Sequence, residues 1–253
     1  MPKLGLIGTG NMAGAMLQAA LNAGFLQPED LLLYDKNPQT AAQFGLPVAQ
    51  SAAEVAAQCE IIQIGVKPQD QPALLATLDL SDKLVVSIAA GVRLKALDVP
   101  RAVRLMPNMN AAIGQSMTAF CATEQVSEQA LRFIENYCQC FGQIISLEEA
   151  QFSVFTAVAG SGPAFVYAFI HALAQAGGLS LEVAVQTVLG SAMMLKQSGA
   201  QPDELIQRVC SPGGTTIAGM NALQKNNFEY AVQQAVQAAA ARERELGILD
   251  NRQ

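Results

Sequence analysis

An apolar run, Leu4–Gly8, passes straight into Gly8-Thr9-Gly10-Asn11-Met12-Ala13, and a helical pattern from Asn11 to Ala23 starts inside that turn. Few short stretches constrain a fold as tightly. A strand that must reverse within two residues into a helix needs a glycine at the bend, here Gly8. A second glycine, Gly10, lets the backbone approach a bulky ligand, and a small residue, Ala13, lets the helix pack against the strand. The helix start also offers N–H donors and partial positive charge, which suit phosphates. The spacing G-x-G-x-x-A at the head of a strand–helix unit therefore predicts dinucleotide binding through Gly8, Thr9, Gly10, Asn11 and Met12. The plainer alternative is a glycine-rich turn that holds nothing.

The rest of the first half repeats the alternation. Leu31–Asp35, Ile61–Gly65 and Leu84–Ala89 are apolar runs suited to strands covered on both faces. Ala102–Met106, Met117–Cys121 and Gln143–Leu147 add three more strand candidates. Between them, Asn37-Pro38, Ser51-Ala-Ala-Glu54 and Ser127 carry helix-start chemistry. Strands alternating with helices predict a doubly wound, mostly parallel sheet. Beyond residue 150 only helical patterns remain. The expected fold is an α/β Rossmann-type domain over residues 1–150, then an all-helical domain over residues 151–253. The charged end "ARERELGILDNRQ" reads as a solvated helix end and tail.

Composition narrows the function. The net charge is −6 without a polybasic run, which argues against nucleic acid as a partner. Charged residues make up 14% of the chain and apolar ones 51%, so part of the surface is expected to be hidden between subunits. The uncharged stretch Ala150–Leu181 is broken by Gly160-Ser161-Gly162-Pro163 and reads as a buried or intersubunit helix rather than a membrane span. The N-terminal run is too short for a signal peptide. Five cysteines, without metal-type spacing, read as reduced packing residues of a cytoplasmic protein. The single histidine, His171, lies in an apolar stretch and reads as a core or interface residue. No histidine triad or histidine metal site is available.

Further motifs fall at strand ends. Asp35 ends the second strand, where an acid accepts from ribose hydroxyls and favours NAD, whereas Lys36 and Asn37 suit a 2′-phosphate. Asn37 is equally explained as a helix cap. Val66-Lys67-Pro68, Ala89-Ala90-Gly91 and Arg104-Leu105-Met106-Pro107-Asn108 end three other runs. Three such turns on one sheet edge describe a crevice for a cofactor. In the helical half, Ser211-Pro212-Gly213-Gly214-Thr215-Thr216 interrupts two helices. Two glycines followed by a helix start form an anion-binding nest, although a capped helix–helix turn explains the same residues.

The motifs "GLIGTGNMAGAM", "GVKPQ", "SIAAG", "RLMPNMNAAIG", "AVAGSGPAFVYAFIHALAQAG" and "SPGGTTIAGMNALQ" together resemble the Δ1-pyrroline-5-carboxylate reductase family nearly end to end. The resemblance implies hydride transfer from NADPH or NADH to the cyclic imine of L-1-pyrroline-5-carboxylate, giving L-proline. It implies a homodimer or larger homo-oligomer with an interwoven helical half. It assigns the substrate carboxylate to Ser211, Gly213, Gly214, Thr215 and Thr216, and sets Thr216 beside the imine nitrogen as the catalytic residue. It also matches Glu149 to an acid near the substrate, a position equally explained as a solvated acid. Arg208, one turn before Ser211, suits a cofactor phosphate or the open surface. Two other readings stay open. One is an NAD(P)-dependent dehydrogenase of the β-hydroxyacid type, disfavoured because no lysine occurs between Lys95 and Lys196. The other is a dinucleotide-binding regulator without turnover, which has no use for Ser211–Thr216.

Overall fold

The computed structural model describes residues 3–249. Seven strands form one sheet: β1 (Leu4–Ile7), β2 (Leu31–Tyr34), β3 (Ile61–Ile64), β4 (Leu84–Ser87), β5 (Ala102–Met106), β6 (Ser116–Ala122) and β7 (Gly142–Ser146). Their spatial order is β2-β1-β3-β4-β5-β6-β7. β1 to β5 run parallel; β6 is antiparallel to β5, and β7 is parallel to β6. The chain leaves β1 toward β2 on one side and returns to β3 on the other. That reversal opens a crevice beyond the carboxyl ends of β1 and β3.

The apolar runs are strands because helices cover both faces. β1, β3 and β4 are buried at every position. One face packs against α1 (Asn11–Asn22) and α6 (Glu128–Gln139), through Met16, Leu17, Ile134 and Tyr137. The other packs against α3 (Ala52–Gln58), α4 (Gln71–Leu75) and α5 (Leu94–Leu97), through Val55, Leu74 and Leu97. Each large side chain so buried contributes about 1.5–3 kcal/mol. Helix starts follow the local chemistry. Asn37 accepts from the Gln39 N–H ahead of α2 (Pro38–Ala42), Ser51 from the Glu54 N–H, and Ser127 from the Ala130 N–H.

After β7 the chain is helical: α7 (Phe152–Phe155), α8 (Gly162–Gly177), α9 (Leu181–Ser198), α10 (Pro202–Val209), α11 (Thr215–Lys225) and α12 (Phe228–Leu249). Two compact units result. One runs to Gly160 and includes the end of α12 from Ala239; the other is Ser161–Ala238.

Three expectations need correction. Gly160–Pro163 does not end the helical run: a π-turn, Thr156–Gly160, precedes α8, and Pro163 sits at its first turn, where a missing N–H is tolerated. The stretch Glu149–Gly177 is thus long and apolar enough to cross a membrane by length and composition alone. The charged C-terminal helix end is also not wholly solvated. Glu243 is buried at 7% exposure, against Arg104. The end of that stretch, residues 250–253, lies outside the described residues. His171 is exposed on α8, which excludes the core alternative and leaves an interface position as the expectation.

Candidate active site

The turn after β1 is set by Gly8, whose φ of +89° is closed to most side chains. A Cβ there would stand 2.7 Å from the Gly65 carbonyl carbon and the Val66 nitrogen. Gly65 is just as confined, since its Cβ would meet the Gly8 oxygen. The β1 and β3 loops therefore touch backbone to backbone. Gly10 differs: at φ −64° it is unstrained, and a Cβ would meet nothing within 4 Å. Gly10 caps α1 with no side-chain hydrogen bond, and Asn11 is exposed with Met12 half-buried beside it. The open side of this helix start fits a phosphate.

Asp35 faces inward to the turn. Its Oδ2 accepts from the Thr9 N–H at 2.8 Å and the Thr9 hydroxyl at 3.3 Å, and its Oδ1 accepts from the Asn37 N–H at 2.9 Å. Asp35 thus braces the glycine turn against β2, and the Thr9 side chain, 1% exposed, is committed to that brace. Lys36 is exposed and pairs with Asp70 at 3.3 Å. A cleft of about 740 Å³ is lined by Gly8, Gly10, Asp35, Lys36, Val66 and Lys67 among others. Pro68 starts a short 3₁₀ turn with Lys67 extended before it, which leaves the lysine side chain in solvent. Behind this loop, buried Gln71 donates to the Val66 carbonyl and the Ser87 hydroxyl, both at 3.4 Å.

Beyond β4, Ala89 and Gly91 are buried and Ala90 half-buried, with Gly91 at φ +82°. Asn108 is buried at 6% exposure and fully engaged. Its N–H donates to Ser116, its Oδ1 accepts from the Asn110 N–H, and its Nδ2 donates to the Ala159 carbonyl at 2.8 Å. Ala159 stands four residues before Pro163, which has no N–H to return. Asn108 supplies the donor the helix lacks.

A charged cluster sits next to Gly91. Arg104, 2% exposed on β5, pairs with Glu149 at 3.4 Å and Glu243 at 3.0 Å and lies 4.4 Å from the Phe152 ring centre. Ser153 donates to the second Glu243 oxygen at 2.5 Å. Glu149 Oε1 also accepts from the Leu94 N–H at 2.7 Å. Glu148 caps the short turn that carries Glu149. A cavity of about 290 Å³ adjoins the cluster, bounded by Gly91 and Arg93. Cys121 stands opposite Arg104 on β6. Burial, reinforced by Glu149, pushes its thiol up to about 12, so it is protonated and unreactive at neutral pH. Sequence reasoning noted Arg104 only as a strand end and missed Glu243. A buried arginine in a β-strand was the available signal, since such a charge demands partners.

In the helical unit, Gly213 adopts φ +69°, and the Gly214 N–H donates to the Ser211 carbonyl. Gly214 is the N-cap of α11 and has no side-chain cap, so the N–H groups of Thr215, Thr216 and Ile217 open the helix. Thr215 is exposed and Thr216 half-buried. Arg208 is exposed in the last turn of α10. The structure brings Gly8, Gly10, Asp35, Lys36, Val66 and Lys67 around one cleft, and Ser211 to Thr216 around another helix start.

A parallel sheet with a glycine turn at its topological switch, followed by a helical domain, defines a Rossmann-type dinucleotide-binding protein. Two family models match: "NADP oxidoreductase coenzyme F420-dependent" over residues 3–91 and "Pyrroline-5-carboxylate reductase dimerisation" over residues 149–246. The chain is 38% identical over 260 residues to the pyrroline-5-carboxylate reductase of Pisum sativum, covering 96% of this chain and 95% of that one. It is 37% identical over 253 residues to that of Escherichia coli K12, covering 92% and 94%. A crystal structure of Plasmodium falciparum pyrroline carboxylate reductase with NADP bound matches with a TM-score of 0.88 at 32% identity, covering 97% of this chain and 98% of that one. The chain belongs to the pyrroline-5-carboxylate reductase family.

Proposed function

We propose that the chain reduces L-1-pyrroline-5-carboxylate to L-proline, the last step of proline biosynthesis, with NADPH or NADH as cofactor. The observation that supports this beyond family membership is the start of α11: a positive-φ glycine and an uncapped helix opening offer N–H donors of the kind a small anion needs. The cofactor supplies the hydride. Gly10 leaves the start of α1 clear for its pyrophosphate, and Val66, Lys67 and Pro68 with Ala89, Ala90 and Gly91 border its path. Asp35 already accepts a backbone N–H on each oxygen, while Lys36, exposed and paired only with the exposed Asp70, stands beside it, which supports NADPH over NADH.

The substrate carboxylate takes the N–H groups around Gly213, Gly214 and Thr215, with the Ser211 hydroxyl beside them. Thr216, one residue into the helix, holds the imine nitrogen with its hydroxyl. A protonated imine is already a good hydride acceptor, so orientation suffices and no strong acid is needed. Residues 1–150 serve the dinucleotide, and within residues 151–253 the unit Ser161–Ala238 serves the substrate and the homodimer. The apolar stretch Glu149–Gly177 fits a subunit interface in a cytoplasmic enzyme.

The test is oxidation of NADPH and NADH with pyrroline-5-carboxylate, compared with other cyclic imines and 2-oxo acids. Turnover with pyrroline-5-carboxylate is expected. Turnover with 2-oxo acids alone would point to a β-hydroxyacid-type dehydrogenase, and none at all would sink both. Thr216→Ala is expected to lower turnover about 100-fold and leave NADPH affinity within about twofold. Loss of NADPH binding instead would remove Thr216 from the reacting centre.

A further inference from the structure

The structure assigns Glu149 to the cofactor-facing loop rather than to the substrate: it is a positioning residue that latches the loop after β4, and Arg104 and Glu243 hold the latch in place. One of its two carboxylate oxygens, Oε1, accepts both from the Leu94 N–H at 2.7 Å and from Arg104 at 3.4 Å. Leu94 lies three residues beyond Gly91, whose φ of +82° fixes the bend of the Ala89-Ala90-Gly91 turn. The loop has little else to hold it at this point: Arg93, the N-cap of α5, makes no side-chain cap hydrogen bond. Arg104 is buried and cannot wander, because Glu243 takes its other terminal nitrogen at 3.0 Å and the Phe152 ring lies against it. Ser153 in turn fixes Glu243. The chain Ser153–Glu243–Arg104–Glu149–Leu94 therefore runs from α7 through the end of α12 to the loop after β4, the proposed cofactor loop. A solvated acid waiting for a substrate would need neither a backbone donor nor a buried guanidinium on one oxygen.

The inference rests on the functional reading of Ala89–Gly91 as a cofactor loop, so wild-type NADPH binding is measured first. Absence of NADPH binding there would overturn both. Leu94→Pro then deletes the one N–H. Leu94 is the first residue of α5 and Arg93 before it is extended (φ −88°, ψ 156°), so proline fits the backbone. Leu94→Ala is its partner, since it trims the side chain and keeps the N–H. Leu94→Pro is expected to raise the Kd for NADPH about tenfold, and Leu94→Ala no more than twofold. Equal effects of the two would overturn the latch. Glu149→Gln and Glu149→Leu give a second reading. A glutamine oxygen can keep both contacts, so Glu149→Gln is expected to keep NADPH affinity within about twofold of wild type, while Glu149→Leu matches Leu94→Pro. If Glu149→Gln instead raises KM for pyrroline-5-carboxylate with NADPH Kd unchanged, the acid serves the substrate and the assignment is wrong. If Glu149→Leu lowers only thermal stability, its role is structural and the assignment is wrong as well.

Discussion

At Gly8 and Gly10 two glycines of one motif do different jobs, and substitution separates them. Gly8→Ala places a Cβ 2.7 Å from backbone at a φ of +89°, which damages the fold itself. The expected loss is about 1–3 kcal/mol of stability in a urea titration, together with weaker NADPH binding. Gly10→Ala meets nothing within 4 Å at an ordinary φ, so the unliganded fold keeps its stability. Its methyl group points into the space proposed for the pyrophosphate, and NADPH binding is expected to fall at least tenfold in a fluorescence titration. Equal NADPH affinity of Gly10→Ala and wild type would show that the phosphate lies elsewhere. The motif was legible because a turn of this kind is settled within six residues. What Asp35 braces was not, because Thr9 lies 26 positions away. Glu243 was misread for the same reason: charge next to charge in sequence suggests solvent, and only the meeting of β5 with the end of α12 buries it.

Among elements, β1, β3 and β4 were legible because a strand covered on both faces is a nearly continuous apolar run; β7, largely exposed, showed only as a short β-prone stretch. The antiparallel pairing of β6 with β5 was not, since direction leaves no mark on composition. The π-turn before α8 was also missed. Gly160 and Pro163 signal a break, yet a partner outside the helix keeps the run intact. Asn108 donates to the Ala159 carbonyl that Pro163 leaves without a helical donor. Asn108→Ala is therefore expected to lower stability by about 1–3 kcal/mol, measured by urea denaturation. In Pro163→Ala the new N–H can serve Ala159 itself, so Asn108→Ala added to it should lose about 1 kcal/mol less than it does alone. Additive losses would show that Asn108 acts only through its other hydrogen bonds, to Ser116 and Asn110.

At the level of the whole molecule, the helical unit raises a question that no single helix answers. Among the described residues of Ser161–Ala238, only Ala184 is a buried apolar side chain. Phe165, Val166, Leu189, Met193, Met194 and Val232 are all exposed at 36% or more. Helices without a buried face do not offset their own ordering entropy, so something must cover them. A second copy satisfies this, and the family's dimerisation model spans these residues. The alternative, a lipid environment, is suggested only by the length and composition of Glu149–Gly177. The two differ in what happens in plain buffer. As a dimer, the protein is expected to sediment at twice the 26.6 kDa chain mass without detergent. Leu189→Asp, at a residue 49% exposed in the single chain, would bury a carboxylate in the dimer. That carries a penalty of about several kcal/mol, enough to weaken association at least 100-fold. The variant should sediment as a monomer at micromolar concentration and lose turnover. A wild type that is fully active as a monomer would refute the shared interface, and one that stays in solution only with detergent would favour lipid.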